Sequence, residues 1–380
     1  MPQFPRAGFM TRPTPLERLN RLSDHLKIDL WIKRDDLAGV TFGGNKTRQL
    51  DYYFGQALAE GADTILITGA VQSNFTRLAA AFAAKLGMKA FVQLESRVTN
   101  PTVNYLESGN VMLSQILGAE VVHFPVGNDE DGADQALYKR AEALRAEGAK
   151  PYVIPLGKTD HPIAALGYQD AAREIMAEDD GFDLVVTGTG SGMTHTGLIA
   201  GFAGTSTHVI GSCVRRKAAL QQPRIRTMLR AFQTMTGEAL PLTPDAVDIW
   251  DGGLWPAYGS MGPKAKAAMQ LMARYEGLIL DPVYTAKSFS AVPELVKEGV
   301  IPQGARVCYV HTGGLGAFFA YQEQIMAMIT KAQAAEEDAA EAEAAKAAKA
   351  EAKKAKAAKK EAAKAAKKEA AKAAKAKKDG

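Results

Sequence analysis

The chain has 380 residues and a formal net charge of +4, a length that suits two domains with a substantial core. The charge belongs to one end: residues 331–380 hold 15 lysines against nine acidic residues, so the first 330 residues carry −2 and offer no nucleic-acid-binding surface. The N-terminal stretch lacks the apolar centre of a signal peptide, and no run reaches the 18 or so apolar residues of a membrane span. A cytoplasmic protein is the expectation.

In chain order, the first unusual stretch is "GGNKTR", residues 43–48, which puts Lys46 after Gly-Gly-Asn where a helix begins. That lysine has three readings: a surface charge, a phosphate ligand, or an amine held for covalent chemistry. "DTILITGA" then reads as a strand and "SNFTRLAAAFAAKLGM" as a helix. "KAFVQLES" is the next strand, "NVMLSQILGA" a helix, "EVVHFP" a strand, "QALYKRAEALRAEGA" a helix and "PYVIPLG" a strand. "FDLVVTGTGSG" runs into "MTHTGLIAGFAG", and "THVIGSCV" and "RVCYVHTGG" follow. Such alternation predicts α/β architecture, with parallel sheets flanked by helices and ligands at the carboxyl ends of the strands. Cys213 and Cys308 lie in apolar runs without metal-ligand spacing, so they read as buried free thiols, and no metal is expected.

Four loops carry chemistry. In "TGAVQSN", Ser73 and Asn74 fall at a helix N-terminus, as an N-cap or as an anion site. In "TGTGSGMTHTG", residues 187–197, glycines let the backbone close around a phosphate while hydroxyls add donors; the loop is neither a Walker loop nor a dinucleotide fingerprint. "LDPVYTAKS" and "HTGG" end apolar runs with small polar residues, which terminate a strand or meet a ring nitrogen. Jointly the loops ask for one phosphate, an aromatic ring and an electrophilic carbon. Pyridoxal phosphate has all three, and an amine such as Lys46 reacts with it once its pKa falls. The tail beyond residue 330 has no side chain larger than Ala that is apolar, and reads as a solvated, helical or disordered appendage.

The motifs "KRDD", "GGNKTR", "GAVQSN", "LGY", "GTGSGMTH", "LDPVYT" and "HTGG" resemble, in order, pyridoxal-phosphate enzymes of the tryptophan-synthase-β fold, PLP fold type II. The branch they are most similar to groups D-cysteine desulfhydrase, L-cysteate sulfo-lyase and 1-aminocyclopropane-1-carboxylate deaminase. The resemblance implies a large domain from residues 1–48 and 158–330, a smaller inserted domain at 49–157, and a homodimer; the tail at 331–380 lies outside it. It implies that Lys46 is the Schiff-base lysine, that Asn74 touches the ring hydroxyl, and that Ser73 holds the substrate carboxylate or moves a proton, with Phe75 beside it. Thr189, Gly190, Ser191, Gly192, Met193 and Thr194 would cradle the phosphate, Thr285 and Thr312 would contact the cofactor, and Tyr258 and Tyr284 would flank the substrate. Two positions depart from the family: Gln49 replaces a lysine near the phosphate, and Phe75 replaces His or Gln.

Thr285 stands where the deaminase branch has Glu facing the ring nitrogen, which turns the expectation toward β-elimination of a sulfur leaving group, giving pyruvate and ammonia. Lys158 in "PLGKTDHP" is either a solvent-facing loop lysine or the partner of an anionic distal group; the second reading turns the expectation to L-cysteate, with D-cysteine as the alternative and the deaminase third. From another class, a non-catalytic cofactor-binding scaffold is opposed by the intact Lys46 and Ser73.

Overall fold

The computed structural model describes residues 3–10, 13–127, 129–157 and 159–376. The chain divides into two units, Met1–Gln322 and Glu323–Gly380. The first unit holds ten strands: β1 (Leu16–Arg18), β2 (Asp29–Lys33), β3 (Thr64–Ala70), β4 (Lys89–Glu95), β5 (Glu120–Phe124), β6 (Pro151–Ile154), β7 (Leu184–Thr189), β8 (His208–Cys213), β9 (Asp248–Trp250) and β10 (Arg306–Val310). They form a six-stranded sheet ordered β1-β2-β10-β7-β8-β9 and a four-stranded sheet ordered β5-β4-β3-β6.

Every pairing is parallel except that of β1 with β2. Parallel pairing goes with central strands buried along most of their length, as where helices cover both faces, while the edge strand β5 keeps Glu120 and His123 exposed. Of the central strands β3 is the fullest case, with all seven residues buried. Under β3 and β4, Leu66 and Phe91 pack with Leu137 and Ala141 of the helix Glu130–Ala146. In the larger sheet Leu30, Val185 and Val307 are inaccessible to solvent. On one of its sides the helices Leu166–Glu178 and Met193–Phe202 cross closely. A Cβ on Gly197 would lie 2.1 Å from the Ala165 carbonyl oxygen, and one on Gly201 2.4 Å from the Ala172 methyl.

All ten segments predicted as strands or helices between residues 63 and 213, and the strand "RVCYV", are present. Among the elements not predicted are the strands β1, β2 and β9 and the helices Asn20–Leu26, Leu166–Glu178, Ala218–Thr236 and Pro263–Glu276. The two cysteines are free and buried, and burial pushes each thiol up to about 12. The second unit is helical, continuing the helix Gln322–Ala376, and its described side chains beyond residue 341 are exposed.

Candidate active site

The carboxyl ends of strands from both sheets converge on one cleft of about 830 Å³, its open mouth included. β3 leads to Ser73, β4 to Arg97, β6 to Leu156, β7 to Gly190, β8 to Arg215 and β10 to Thr312, and all six residues line it. In parallel sheets these ends are where loops leave the packed layers and backbone N–H groups are unpaired.

Lys46 enters from the first turn of the helix Asn45–Ala59. Gly44 precedes it at φ +111°, where a Cβ would lie 2.8 Å from the Thr312 carbonyl oxygen. Glycine therefore lets this turn press against the "HTGG" loop, and the Asn45 N–H donates to that carbonyl at 3.1 Å. Two residues on, Arg48 donates to both oxygens of Asp35 at 2.9 Å and to both oxygens of Glu174 at 2.8 and 2.7 Å. Asp35 also accepts from Tyr168 and Thr14. Burial opposes the Asp35 charge, but Arg48 more than offsets this and holds the carboxyl below its usual range. This network joins the "KRDD" and "GGNKTR" motifs and fixes the helix that presents Lys46. The Lys46 amine donates to Gln49 Oε1 at 2.9 Å and stands 5.3 Å from the Phe75 ring centroid. Removal from bulk water lowers it to about 8.

Ser73 caps the helix Asn74–Leu86, its Oγ accepting from the N–H groups of Phe75 and Thr76 at 3.2 and 3.3 Å. It is thus an N-cap that also lines the cleft. Asn74 Oδ1 accepts from Asn110 Nδ2 at 2.9 Å and Arg77 Nη2 at 3.3 Å, which orients the amide so that Nδ2 is left to donate. Behind it Arg77 is wholly buried, and burial pulls its guanidinium down to about 9.

The end of β7, the loop after it and the first turn of the helix Met193–Phe202 contribute Gly188, Gly190, Ser191, Gly192 and Thr194 to the wall. Arg216 and Arg224 take the carbonyls of Gly190 and Ser191 at 3.0 and 2.9 Å. What the loop has left for a ligand is its N–H groups and the N-terminus of the helix Met193–Phe202, an arrangement suited to an anion. Thr194 Oγ1 accepts from Asn45 Nδ2 at 2.9 Å and Gln49 Nε2 at 3.0 Å. Gln49, the departure from the family pattern, therefore bridges the Lys46 amine and the glycine loop. Thr189 and Met193 are buried outside the wall, and the Thr189 hydroxyl accepts from Gln221 at 2.8 Å.

On the far side the Tyr258 and Tyr284 hydroxyls meet at 2.5 Å. Burial, reinforced by Tyr258, drives Tyr284 well above the usual phenol range, so it stays protonated. Lys287 donates to the carbonyls of Leu254 and Ala257 and so ties down the loop bearing Tyr258. Thr312 lines the cleft, whereas Thr285 stands behind it: its Oγ1 donates to Asp281 Oδ2 at 2.7 Å. Lys158 lies outside the described residues.

The sequence reading left out Arg97, Arg215, Asp281 and Asn45. The signal for the two arginines was their place directly after apolar strands, in "LESR" and "SCVRR", where the four loops it did single out also stand. No group of acidic, His or Cys residues able to hold a metal occurs among the described residues.

The model of the family "Pyridoxal-phosphate dependent enzyme" matches residues 9–313. A D-cysteine desulfhydrase of Yersinia pestis (strain Pestoides F) is 38% identical over 328 residues, which are 85% of this chain and 98% of the relative. A 1-aminocyclopropane-1-carboxylate deaminase of Methylobacterium nodulans is 39% identical over 328 residues, 84% of this chain and 97% of the relative. A crystal structure of an ACC deaminase homologue superposes with a TM-score of 0.77 at 31% identity, covering 86% of this chain and 97% of that one.

Proposed function

The chain belongs to the pyridoxal-phosphate dependent enzyme family, and from that premise we propose that it is a carbon–sulfur lyase. It removes a sulfur leaving group from Cβ of a small cysteine-like amino acid and yields pyruvate and ammonia. The observation that carries this reading is a lysine amine lowered to about 8, set between a glycine loop and a helix N-terminus.

The cleft suits pyridoxal phosphate on the chemistry of its donors. Gly190, Ser191, Gly192 and Thr194 would hold the phosphate, Asn74 the ring hydroxyl, and Thr312 the ring nitrogen. When bound, the cofactor supplies a carbonyl carbon for an amine and an electron sink for charge developing at Cα. Lys46 would hold that carbon, and its amine, which burial lowers to about 8 in the cofactor-free chain, would serve as the base at Cα, since a group close to neutrality takes and returns a proton readily. The Phe75 and Thr76 N–H groups are engaged by Ser73, so the Ser73 hydroxyl hydrogen and the Asn74 amide are the donors for the substrate carboxylate. Tyr284, kept protonated, donates to the departing sulfur, with Tyr258 setting its direction.

Asp281 is the one carboxylate among the described lining residues, and its two oxygens accept from the N–H groups of Val283, Tyr284 and Thr285. It is thus occupied, which favours elimination over cyclopropane opening. The names of the relatives support D-cysteine as the first substrate to assay. L-Cysteate belongs to the same proposal, as does a homodimer, which sedimentation at twice the chain mass would test.

The experiment is turnover of D-cysteine, L-cysteine, L-cysteate and 1-aminocyclopropane-1-carboxylate by the cofactor-loaded protein. Pyruvate from one or more of the sulfur amino acids is expected. A 2-oxo acid from the cyclopropane substrate alone would transfer the assignment to the deaminase, and no product from any of the four would leave the scaffold reading.

A further inference from the structure

The roles proposed above do not use two arginines of the cleft. Arg97 and Arg215 line it on the side shared with an outer basin, as does Tyr258. Their side chains are only 5% and 9% exposed. Arg97 donates through Nε and Nη2 to Glu95 at 2.9 and 2.7 Å. Arg215 donates through Nη1 to Glu130, which also pairs with Arg216 at 2.8 Å and has Arg224 at 3.7 Å. Neither glutamate lines the cleft; Glu130 faces the basin, with Asp129, Asp131 and Lys217.

The cleft wall is consequently lopsided in charge. Among the described lining residues Lys46, Arg97 and Arg215 are basic and only Asp281, already occupied, is acidic. Arg97 Nη1 and Arg215 Nε and Nη2 donate to no described residue. These N–H groups belong to side chains that line the open cleft, where a ligand can supply the acceptors. The two cations also oppose each other: burial first, and Arg97 next, pull the Arg215 guanidinium below its usual range. An anion seated between them relieves both terms. Guanidinium forks match the oxygens of sulfonate, sulfate or phosphate, and the position beside Tyr258 and Tyr284 is the substrate side of the cleft rather than the glycine loop.

We propose that Arg97 and Arg215 form a subsite for an oxyanion carried on Cβ of the substrate, so that the favoured amino acids are those whose leaving group departs as sulfite, sulfate or phosphate. The inference rests on the β-elimination reading and names its substrate class. Lys46 takes the Cα proton, and the Cβ–S or Cβ–O bond breaks with its electron pair leaving on the oxyanion. The three-carbon enamine takes up one water and yields pyruvate and ammonium. No oxidant or reductant enters.

The test uses the full-length, cofactor-loaded protein and two readouts. One is kcat/KM for L-cysteate, serine O-sulfate and O-phosphoserine against cysteine and β-chloroalanine, each in both configurations. The other is binding of L-cysteate against L-alanine, followed by the cofactor spectrum, since alanine keeps the α-groups and lacks the distal one. A charge-assisted pair predicts a preference for the oxyanion of roughly ten- to a hundredfold in both readouts. Arg215→Gln leaves Glu130 with Arg216, and Arg97→Met is made together with Glu95→Gln so that no buried charge is stranded. In each variant the loss on oxyanion substrates should exceed the loss on cysteine by tenfold or more. Equal losses on all substrates, or cysteate binding no tighter than alanine, would overturn the subsite. Absence of pyruvate from every substrate would sink the elimination reading instead, and the binding comparison would still decide the subsite.

Discussion

Lys46 and Gln49 lie about one helical turn apart, and Gln49 spends its oxygen on the lysine amine and its nitrogen on Thr194. The amine sits near 8, against 10.5 for a lysine in water. Because the folded value is the lower one, the unfolded chain binds the extra proton between about pH 8 and 10.5, and stability rises with pH across that window. Subtracting the cofactor-free Lys46→Met variant isolates the term. The melting temperature of the wild type should gain on the variant as pH climbs from 8 to 10, and a gap that stays constant would mean the amine is not desolvated. At this scale the sequence marked the cleft wall where a residue type was unusual for its place, as with Lys46, Asn74 and Tyr284, which all line it. It was illegible for Arg97 and Arg215, because a charge after a strand usually faces solvent, and only the folded chain shows these two turned inward. Thr285 misled for a related reason: a hydroxyl beside a cleft motif has a closer partner in Asp281.

Among elements, the helix Asn45–Ala59 owes its placement to Arg48, whose guanidinium is wholly buried between Asp35 and Glu174. Removing one partner of such a network strands the others in a dry interior. Arg48→Met is expected to cost about 3–5 kcal/mol in denaturant unfolding and to reduce cofactor affinity with it. A loss below about 1 kcal/mol would show that the ions find water instead. The long apolar strands could be read because parallel strands buried on both faces have an unmistakable composition. β1 and β9, three residues each, are too short to leave such a mark. The helix Ala218–Thr236 hid behind Pro223, which sits inside it and ordinarily signals a break.

For the whole molecule, the first unit and the second differ in kind. The segment beyond residue 334 offers nothing larger than Ala to bury, and a lone Ala/Lys/Glu helix melts gradually rather than cooperatively. Deletion of residues 335–380 should leave kcat within twofold and the cooperative melting temperature within about 2 °C, while removing a broad, salt-sensitive helical signal in circular dichroism. A drop of many degrees would give the tail a structural part. A different consequence follows from the cleft drawing its walls from the loop ends of two separate sheets. The site is a seam, and a seam opens before the cloth on either side tears. Catalytic competence is then the least robust property of the first unit. Rising denaturant should extinguish turnover while both sheets still protect their amide hydrogens, so an inactive molecule with native secondary structure is a state this architecture makes easy to reach.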